Sequence, residues 1–382
     1  MTPHQSNPSP SPHPPVPTTQ RAIVQRRYGP VREVLALAEA LPVRPPGPQE
    51  VQVRVRAAAV NPIDWQMIEG NRRLITRRRF PFTPLFDLAG VVTAVGEGVA
   101  AVGGRAGAAG SRAGAVGDRA GAAGRPAAAA RPFRVGDRVH ADNEIGGGGA
   151  AEYVNVPARL LAHTPPGLGF AESAALPLAV QTALTCMDRG QVGAGTRVAV
   201  IGASGGVGHL AVQLARAAGA FVLGVASARN QDFVRSLGAD ETIDRETTDV
   251  AARFGADSFD VVIDCVGGRE QWLRAQRVLR PGGRFLTIAR DEDGPVTPAS
   301  AARLLTTITT RRLRGAGPRG TKYVPVFLKS SEALLRRANT LVTDGQLRVH
   351  VARSFPLTLE GIHAAMEESR AGRVVGKLVV GG

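Results

Sequence analysis

The stretch from Thr196 to Ala218 constrains the fold more than any other. TRVAVI is a short β-branched apolar run, and Gly202-Ala203-Ser204-Gly205-Gly206-Val207-Gly208 follows it without a break. Val207, Leu210, Ala211, Leu214, Ala215 and Ala218 then fall at i, i+3, i+4, i+7, i+8 and i+11, one face of a helix. The pattern predicts a strand, a glycine turn and a helix. Gly205 and Gly206 carry no Cβ to fend off a bound group, and Gly208 lets the helix pack on its strand. Free N–H groups and the positive end of the helix dipole face the turn, so it is a candidate anion site of the kind that takes a pyrophosphate.

Ala203 stands where the first glycine of G-x-G-x-x-G would be, so the fingerprint draws its weight from context. A second strand pattern, Phe221 to Ala226, comes where a βαβ unit needs one. Phe259 to Val266 and Arg284 to Ile288 add buried strands of parallel type. The same letters also fit G-x-S-x-G, a nucleophile elbow, with Ser204 as nucleophile, Asp264 as acid and His350 or His363 as base of an α/β-hydrolase. Nothing in an elbow requires Gly208.

At 382 residues the chain is long enough for two domains with their own cores. No uninterrupted apolar run approaches a membrane span, and the N-terminus lacks the apolar stretch of a signal peptide. Cys186 and Cys265 are too few for a disulfide framework or a cysteine zinc site, so a reduced, cytoplasmic protein is expected. The formal charge of +15 comes almost wholly from Arg, with Lys only at 322, 329 and 377. Aromatics are 4% of residues and do not interleave with the basic ones, which argues against a nucleic-acid partner.

Residues 1–20 contain seven prolines and almost no apolar side chains, and read as a disordered tail. Arg21 to Val60 reads as strands, with VQVRVRAAAV alternating like a half-exposed sheet. In Asn61-Pro62-Ile63-Asp64-Trp65, Pro62 fixes a turn with Asn61 and Asp64 at its edges, either an Asx turn or a cleft lined by an amide and a carboxylate. Five arginines between Arg72 and Arg79 form a solvated loop or a basic rim. Leu88 to Val95 is another strand. A G-x-R-A-G-A-x repeat from Gly103 trails into an alanine run, and 103–131 reads as a low-complexity, flexible insertion. Order resumes at Phe133 to Val139, continues through a strand over Ala151 to Val156, and reaches a helix over Phe170 to Arg189.

These residues resemble the zinc-free, quinone oxidoreductase-like branch of the medium-chain dehydrogenase/reductase superfamily. The matching stretches are AAVNPIDW (Ala58 to Trp65), FDLAGVVTAVGEGV (Phe86 to Val99), FRVGDRV (Phe133 to Val139), Ala151 to Leu184, GASGGVG, SLGADETID (Ser236 to Asp244), DVVIDCVGG (Asp260 to Gly268), LRPGGRF (Leu279 to Phe285) and GRVVGKLVV (Gly372 to Val380). The resemblance implies an α/β chain: a GroES-like, mostly-β catalytic domain over 21–165, a Rossmann domain with a doubly wound parallel sheet over 166–342, and a C-terminal return to the catalytic domain over 343–382. It also implies a nicotinamide cofactor in the cleft between the domains, and a homodimer. The zinc enzymes of the superfamily place Cys and His ligands where this chain has Asn61 to Asp64 and Phe86-Asp87, so no catalytic metal is expected.

NAD enzymes place an acid at the end of the second strand, to bind the ribose 2′-OH. Here that place reads Val225-Ala226-Ser227-Ala228-Arg229, and a hydroxyl with a guanidinium suits a 2′-phosphate. The expected cofactor is therefore NADPH, with Ser227 and Arg229 on its phosphate and Arg245 beside them. Ser204, Gly205, Gly206 and Val207 would cradle the pyrophosphate. Asn61 and the backbone at Val266, Gly267, Gly268, Ile288 and Ala289 would make the contacts to the cofactor's carbonyl and amide, and Asp64 would orient the site or relay a proton.

Without a metal to polarise a carbonyl, hydride addition to a quinone or an α,β-unsaturated carbonyl is the expected reaction. Some relatives have Tyr near Gln66 or Arg72, and neither is Tyr here, so solvent is the expected proton source. Phe86 replaces the small residue usual before this Asp, which alters the pocket. An NADPH-binding sensor without turnover, or an RNA-binding protein using the Arg-rich surface, are the alternatives that keep the fold.

Overall fold

The computed structural model describes residues 15–73, 76, 78–99, 131–289, 297–314 and 320–382. The expected tail lies outside the described residues up to 14, and the expected insertion lies outside them up to 130. Alternation and continuous apolar runs produce two different sheets.

The first sheet is largely antiparallel. After a short pair, β1 (Thr19–Gln25) with β2 (Leu35–Pro42), it is built from β3 (Glu50–Val60), β4 (Asp87–Val95), β5 (Arg138–Asp142), β6 (Tyr153–Pro157) and β7 (Leu161–His163). In β3, Arg54 and Arg56 face solvent while Val53, Val55 and Ala57 are buried, but the expected alternation stops there: Val51, Gln52, Ala58, Ala59 and Val60 are buried as well, because partner strands and helices cover both faces of the strand at its ends.

The second sheet is parallel throughout. It comprises β8 (Arg197–Ile201), β9 (Phe221–Ala226), β10 (Glu241–Asp244), β11 (Phe259–Asp264), β12 (Leu279–Thr287) and β13 (Lys322–Pro325), in the order β10-β9-β8-β11-β12-β13. Counted from its own first strand this is 3-2-1-4-5-6, the doubly wound order of a dinucleotide-binding sheet. Its strands are apolar on both faces because both faces are covered. Val198 and Val200 pack with the helices Pro177–Gly190 and Gly208–Ala217, whereas Ala199 packs with Trp272 and Ala275 of the helix Arg269–Val278.

The chain then returns to the first sheet. β14 (Val351–Phe355) and β15 (Lys377–Gly381) complete the order β14-β15-β3-β4-β5-β7, with β6 also paired to β3. Among the described residues no helix is long and apolar enough to cross a membrane.

Several boundaries differ from expectation for identifiable reasons. β1 already includes Thr19 and Gln20, because they pair with Pro42 and Leu41 of β2, and the buried Gln20 Oε1 also accepts the Tyr153 N–H at 2.6 Å. The helix expected over Phe170 to Arg189 is two, Phe170–Ala175 and Pro177–Gly190, since Pro177 has no N–H to continue the first. The strand expected to reach Val266 stops at Asp264, whose carboxylate accepts the Val266 and Gly267 N–H groups and turns the chain aside. Ala151 makes only an isolated bridge to Ala22, so β6 starts at Tyr153.

Candidate functional site

β8 lies between β9 and β11, so the chain leaves its carboxyl end toward one side of the sheet while β11 leaves toward the other. A crevice opens at such a switch point. On the β8 side, Gly202 turns the chain at φ +77°, and a Cβ on Gly208 would sit 2.1 Å from the Gly202 carbonyl oxygen. Gly208 is thus demanded by the turn itself. A Cβ on Gly205 would meet only that same oxygen, at an ordinary 3.4 Å, so the space beyond Gly205 is a cradle that packing leaves open. The Ser204 hydroxyl accepts from the Asn230 amide at 3.0 Å.

On the β11 side, Asp264 is 1% exposed, accepts the N–H of Val266 and of Gly267 at 3.0 Å each, and takes the Thr287 hydroxyl at 2.9 Å. That carboxylate holds the loop Val266–Gly268 against the end of β12, where the Ile288 N–H bonds the Asp264 carbonyl at 3.1 Å. Val266 is 51% exposed, and a Cβ on Gly268 would meet nothing within 4 Å. Val266, Gly267, Gly268, Ile288 and Ala289 therefore lie on adjoining strand ends. Ser227 and Arg245 follow the paired residues Ala226 and Asp244, and the Arg245 N–H bonds the Ala226 carbonyl at 2.9 Å. Arg229 stands exposed on the short turn Ala228–Asn230, so Ser227, Arg229 and Arg245 group outside the ends of β9 and β10.

A second cluster forms at one end of the first sheet. Its registers pair Ala59 with Asp87, Asp87 with Asp142 and Val60 with Leu378, which gathers Asn61, Asp87, Asp142 and Lys377. The Lys377 ammonium donates to Asn61 Oδ1 and, at 3.4 Å, to Asp87 Oδ2, with the two charged side chains 3% and 0% exposed. Asn61 Nδ2 donates to the same Asp87 oxygen at 2.9 Å, and the Leu178 N–H reaches Asp87 Oδ1 at 2.8 Å. Asp142 accepts from the Ser330 hydroxyl at 2.5 Å and from the Glu144 N–H at 2.9 Å.

Asp64 accepts the backbone N–H of Asn61 at 2.7 Å and of Phe86 at 3.2 Å. Its geometry is that of a clamp on the backbone beside Asn61. Burial pushes the Asp64 carboxyl up to about 7. Burial, with neighbouring Asp87 second, pushes Asp142 up to about 7. Asp87 is raised by burial too, with the Lys377 charge pulling the other way.

The two clusters are fastened together by the start of β15. The Gly376 N–H bonds the Ser204 carbonyl at 2.9 Å, and a Cβ on Gly206 would meet the Lys377 stem at 3.1 Å. His209 supports the same junction. Burial lowers its imidazole to about 4, so the ring is neutral: Nδ1 donates to the Gly205 carbonyl at 2.9 Å and Nε2 accepts the His350 N–H at 3.2 Å.

The residues nominated for a hydrolase have other partners: the Ser204 hydroxyl accepts from Asn230. Asp264 is engaged by its own loop, the His350 ring packs 4.9 Å from that of Phe233, and His363 lies beside Glu360 on the helix Leu359–Arg370. Lys377, Asp142 and Ser330 were not among the residues singled out from sequence. Lys377 carried a signal, as one of three lysines in an Arg-dominated chain and the charge inside an apolar strand. Among the described residues no group of three or more His, Cys, Asp or Glu is arranged to hold a metal ion.

Known proteins agree with this architecture. The family model described as "Alcohol dehydrogenase GroES-like domain" matches residues 47–166, and "Zinc-binding dehydrogenase" matches 237–380. A chloroplast envelope quinone oxidoreductase homolog of Arabidopsis thaliana is 31% identical over 349 residues, covering 89% of this chain and 92% of that protein. An NADPH-dependent alkenal/one oxidoreductase of the same plant is 28% identical over 374 residues, covering 96% and 80%. Among solved structures, an alcohol dehydrogenase superfamily protein from Novosphingobium aromaticivorans is 28% identical with a TM-score of 0.71, covering 95% of this chain and 100% of that one. A quinone oxidoreductase from Coxiella burnetii, at 24% identity, shares the fold with a TM-score of 0.72 over 95% of this chain and 99% of its own. This chain belongs to the medium-chain dehydrogenase/reductase superfamily, in its quinone oxidoreductase-like branch, and is an oxidoreductase built from a GroES-like and a Rossmann domain.

Proposed function

We propose that the protein transfers hydride from NADPH to a quinone or an α,β-unsaturated carbonyl. The observation that carries this reading is the junction at Gly376-Lys377, which fastens the open glycine turn to the buried cluster around Asn61. In this reading 21–165 with 343–382 form the catalytic domain and 166–342 the cofactor domain. Backbone N–H groups of Gly205, Gly206 and Val207 hold the pyrophosphate at the start of the helix Gly208–Ala217. Ser227, Arg229 and Arg245 hold the 2′-phosphate, and the backbone at Val266 to Gly268 and Ile288 to Ala289 holds the carboxamide.

When bound, the cofactor supplies the hydride; the chain positions and shields it. Asn61 presents its amide to the reacting carbonyl, and Asp64 fixes the backbone that carries it. Support for this substrate class comes from relatives named as a quinone oxidoreductase homolog and an alkenal/one oxidoreductase. The test is a titration with NADPH and with NADH, followed by nicotinamide absorbance decay with a panel of quinones and enones. Preferential NADPH binding with decay is expected, and absence of binding by either cofactor would sink the reading. Arg229→Glu should weaken NADPH at least about tenfold more than NADH, since a charge-assisted contact contributes about 1.5–3 kcal/mol. Equal losses for both would reject the phosphate assignment.

A further inference from the structure

Arg78 lies in the segment that leads into the Phe86-Asp87 corner. Its guanidinium carbon sits 3.8 Å from the centre of the Phe82 ring and 5.5 Å from that of Phe86. Nη1 donates to Gln25 Oε1 at 3.4 Å, a long bond to a neutral oxygen. Gln25 cannot offer more, because its own amide nitrogen is fixed on the carbonyls of Ile68 at 2.7 Å and Arg27 at 2.9 Å. Nε and Nη2 are both shielded from solvent and have no hydrogen-bond partner among the described residues.

Such a guanidinium is incomplete, since buried donors are normally paired and a buried charge especially so. Asp64 is the carboxyl that acts on it electrostatically, yet both Asp64 oxygens already accept backbone N–H groups. Burial lowers Arg78 to about 10, which leaves it charged at neutral pH. The unfilled nitrogens are also a particular pair. Nε and Nη2 form the side-on edge of the fork, whose two parallel N–H groups match the two oxygens of a carboxylate. The Phe82 and Phe86 rings beside the guanidinium, at 3.8 and 5.5 Å, give that edge apolar surroundings, in which a charged contact to an anion is strengthened.

We propose that the Nε/Nη2 edge of Arg78 is a substrate-anion site, which takes a carboxylate carried by the enone or quinone and holds it side-on near Phe82 and Phe86. This rests on the hydride-transfer reading for the identity of the substrate, but the anion site has its own readout. The site is a specificity determinant: it selects, among unsaturated carbonyl compounds, those bearing an acid.

The test uses the full-length protein and two probes, β-acetylacrylate and its uncharged methyl ester. The wild-type protein should favour the acid at least about tenfold in kcat/KM, the size of one charge-assisted bidentate contact. Arg78→Met keeps an apolar stem on the Phe82 ring and should bring that ratio to about one. Arg78→Lys keeps the charge without the fork and should retain only a preference of a few-fold. Calorimetric binding of both probes, with and without saturating oxidised cofactor, separates this site from the proposed reaction. Absence of turnover with any nicotinamide, together with acid binding that Arg78→Met abolishes, would reject hydride transfer and keep the anion site. A wild-type ratio near one, or a preference unchanged in Arg78→Met, would overturn the proposal.

Discussion

Lys377 shows how much one side chain can decide. A lysine ammonium is a compact point charge with three donors, and here it meets Asn61 Oδ1 and Asp87 Oδ2 at a place almost closed to solvent. The pair is strongly interdependent because neither charge has water to fall back on. Lys377→Met should cost about 3–5 kcal/mol in a denaturant titration, the usual result of stranding one partner of a buried pair. The Asn61 amide would also lose the contact that tells its oxygen from its nitrogen, so kcat should fall more than cofactor affinity. Adding Asp87→Asn to Lys377→Met should recover part of the lost stability, since the stranded carboxylate is then gone. A cost under about 1 kcal/mol for Lys377→Met, with no recovery in the double variant, would mean that the ammonium does not hold this cluster.

At the level of single elements, the glycine turn divides into positions required by the fold and positions left open. A methyl group on Gly208 would collide with the Gly202 carbonyl at 2.1 Å, and backbone cannot yield cheaply. Gly208→Ala should therefore lose more than about 3 kcal/mol of stability. Gly205→Ala meets only an ordinary 3.4 Å contact and should stay within about 1 kcal/mol of the parent in thermal unfolding. Its methyl group would project into the proposed cradle, so NADPH affinity should fall at least about tenfold. Unchanged affinity would show that the pyrophosphate does not lie over Gly205. This element was legible in the sequence because its signal is local: an apolar strand, small turn residues and a helical stripe all lie within one stretch. β9 was legible for the same reason, and its bounds, Phe221–Ala226, match the apolar run. The polar cluster was legible only at Asn61 and Asp64, which flank a recognisable turn; Asp87 stood out only as a position where the zinc enzymes carry a metal ligand. Asp142 and Lys377 reach it through strand registers, Asp142 beside Asp87 and the neighbour of Lys377 beside Val60, that pair residues far apart in the chain, and Ser330 arrives from the loop after β13. Local spacing carries no record of register. The break at Pro177 was readable from the missing N–H, but helical spacing on both sides of it concealed the end of the first helix.

Across the whole molecule, buried titratable groups set opposing dependences of stability on pH. Asp64 and Asp142 keep their protons up to about 7 in the folded chain against 3.8 when unfolded. Between those values the folded state binds more protons, so their contribution makes stability fall as pH rises. Asp87, raised in the same direction, adds to it. His140 and His209 act the other way. Burial lowers both to about 4 from 6.5, so between those values the unfolded state binds more protons and stability rises with pH. From about pH 4 to 6.5 Asp64 and Asp142 are offset by His140 and His209. Above 6.5 the histidines are neutral in both states, and only the acids still titrate. Thermal unfolding should accordingly show a shallow slope from about pH 5 to 6.5 and a clear loss of stability from about 6.5 to 7.5, roughly 1 kcal/mol for two carboxyls completing their titration. Asp142→Asn keeps an acceptor for Ser330 and removes one titrating group, so it should flatten that loss without shifting where it begins. His209→Gln should instead steepen the decline at lower pH, because one opposing proton is gone. A stability that climbs steadily from about pH 6.5 to 7.5 would mean that these carboxyls ionise as they do in water.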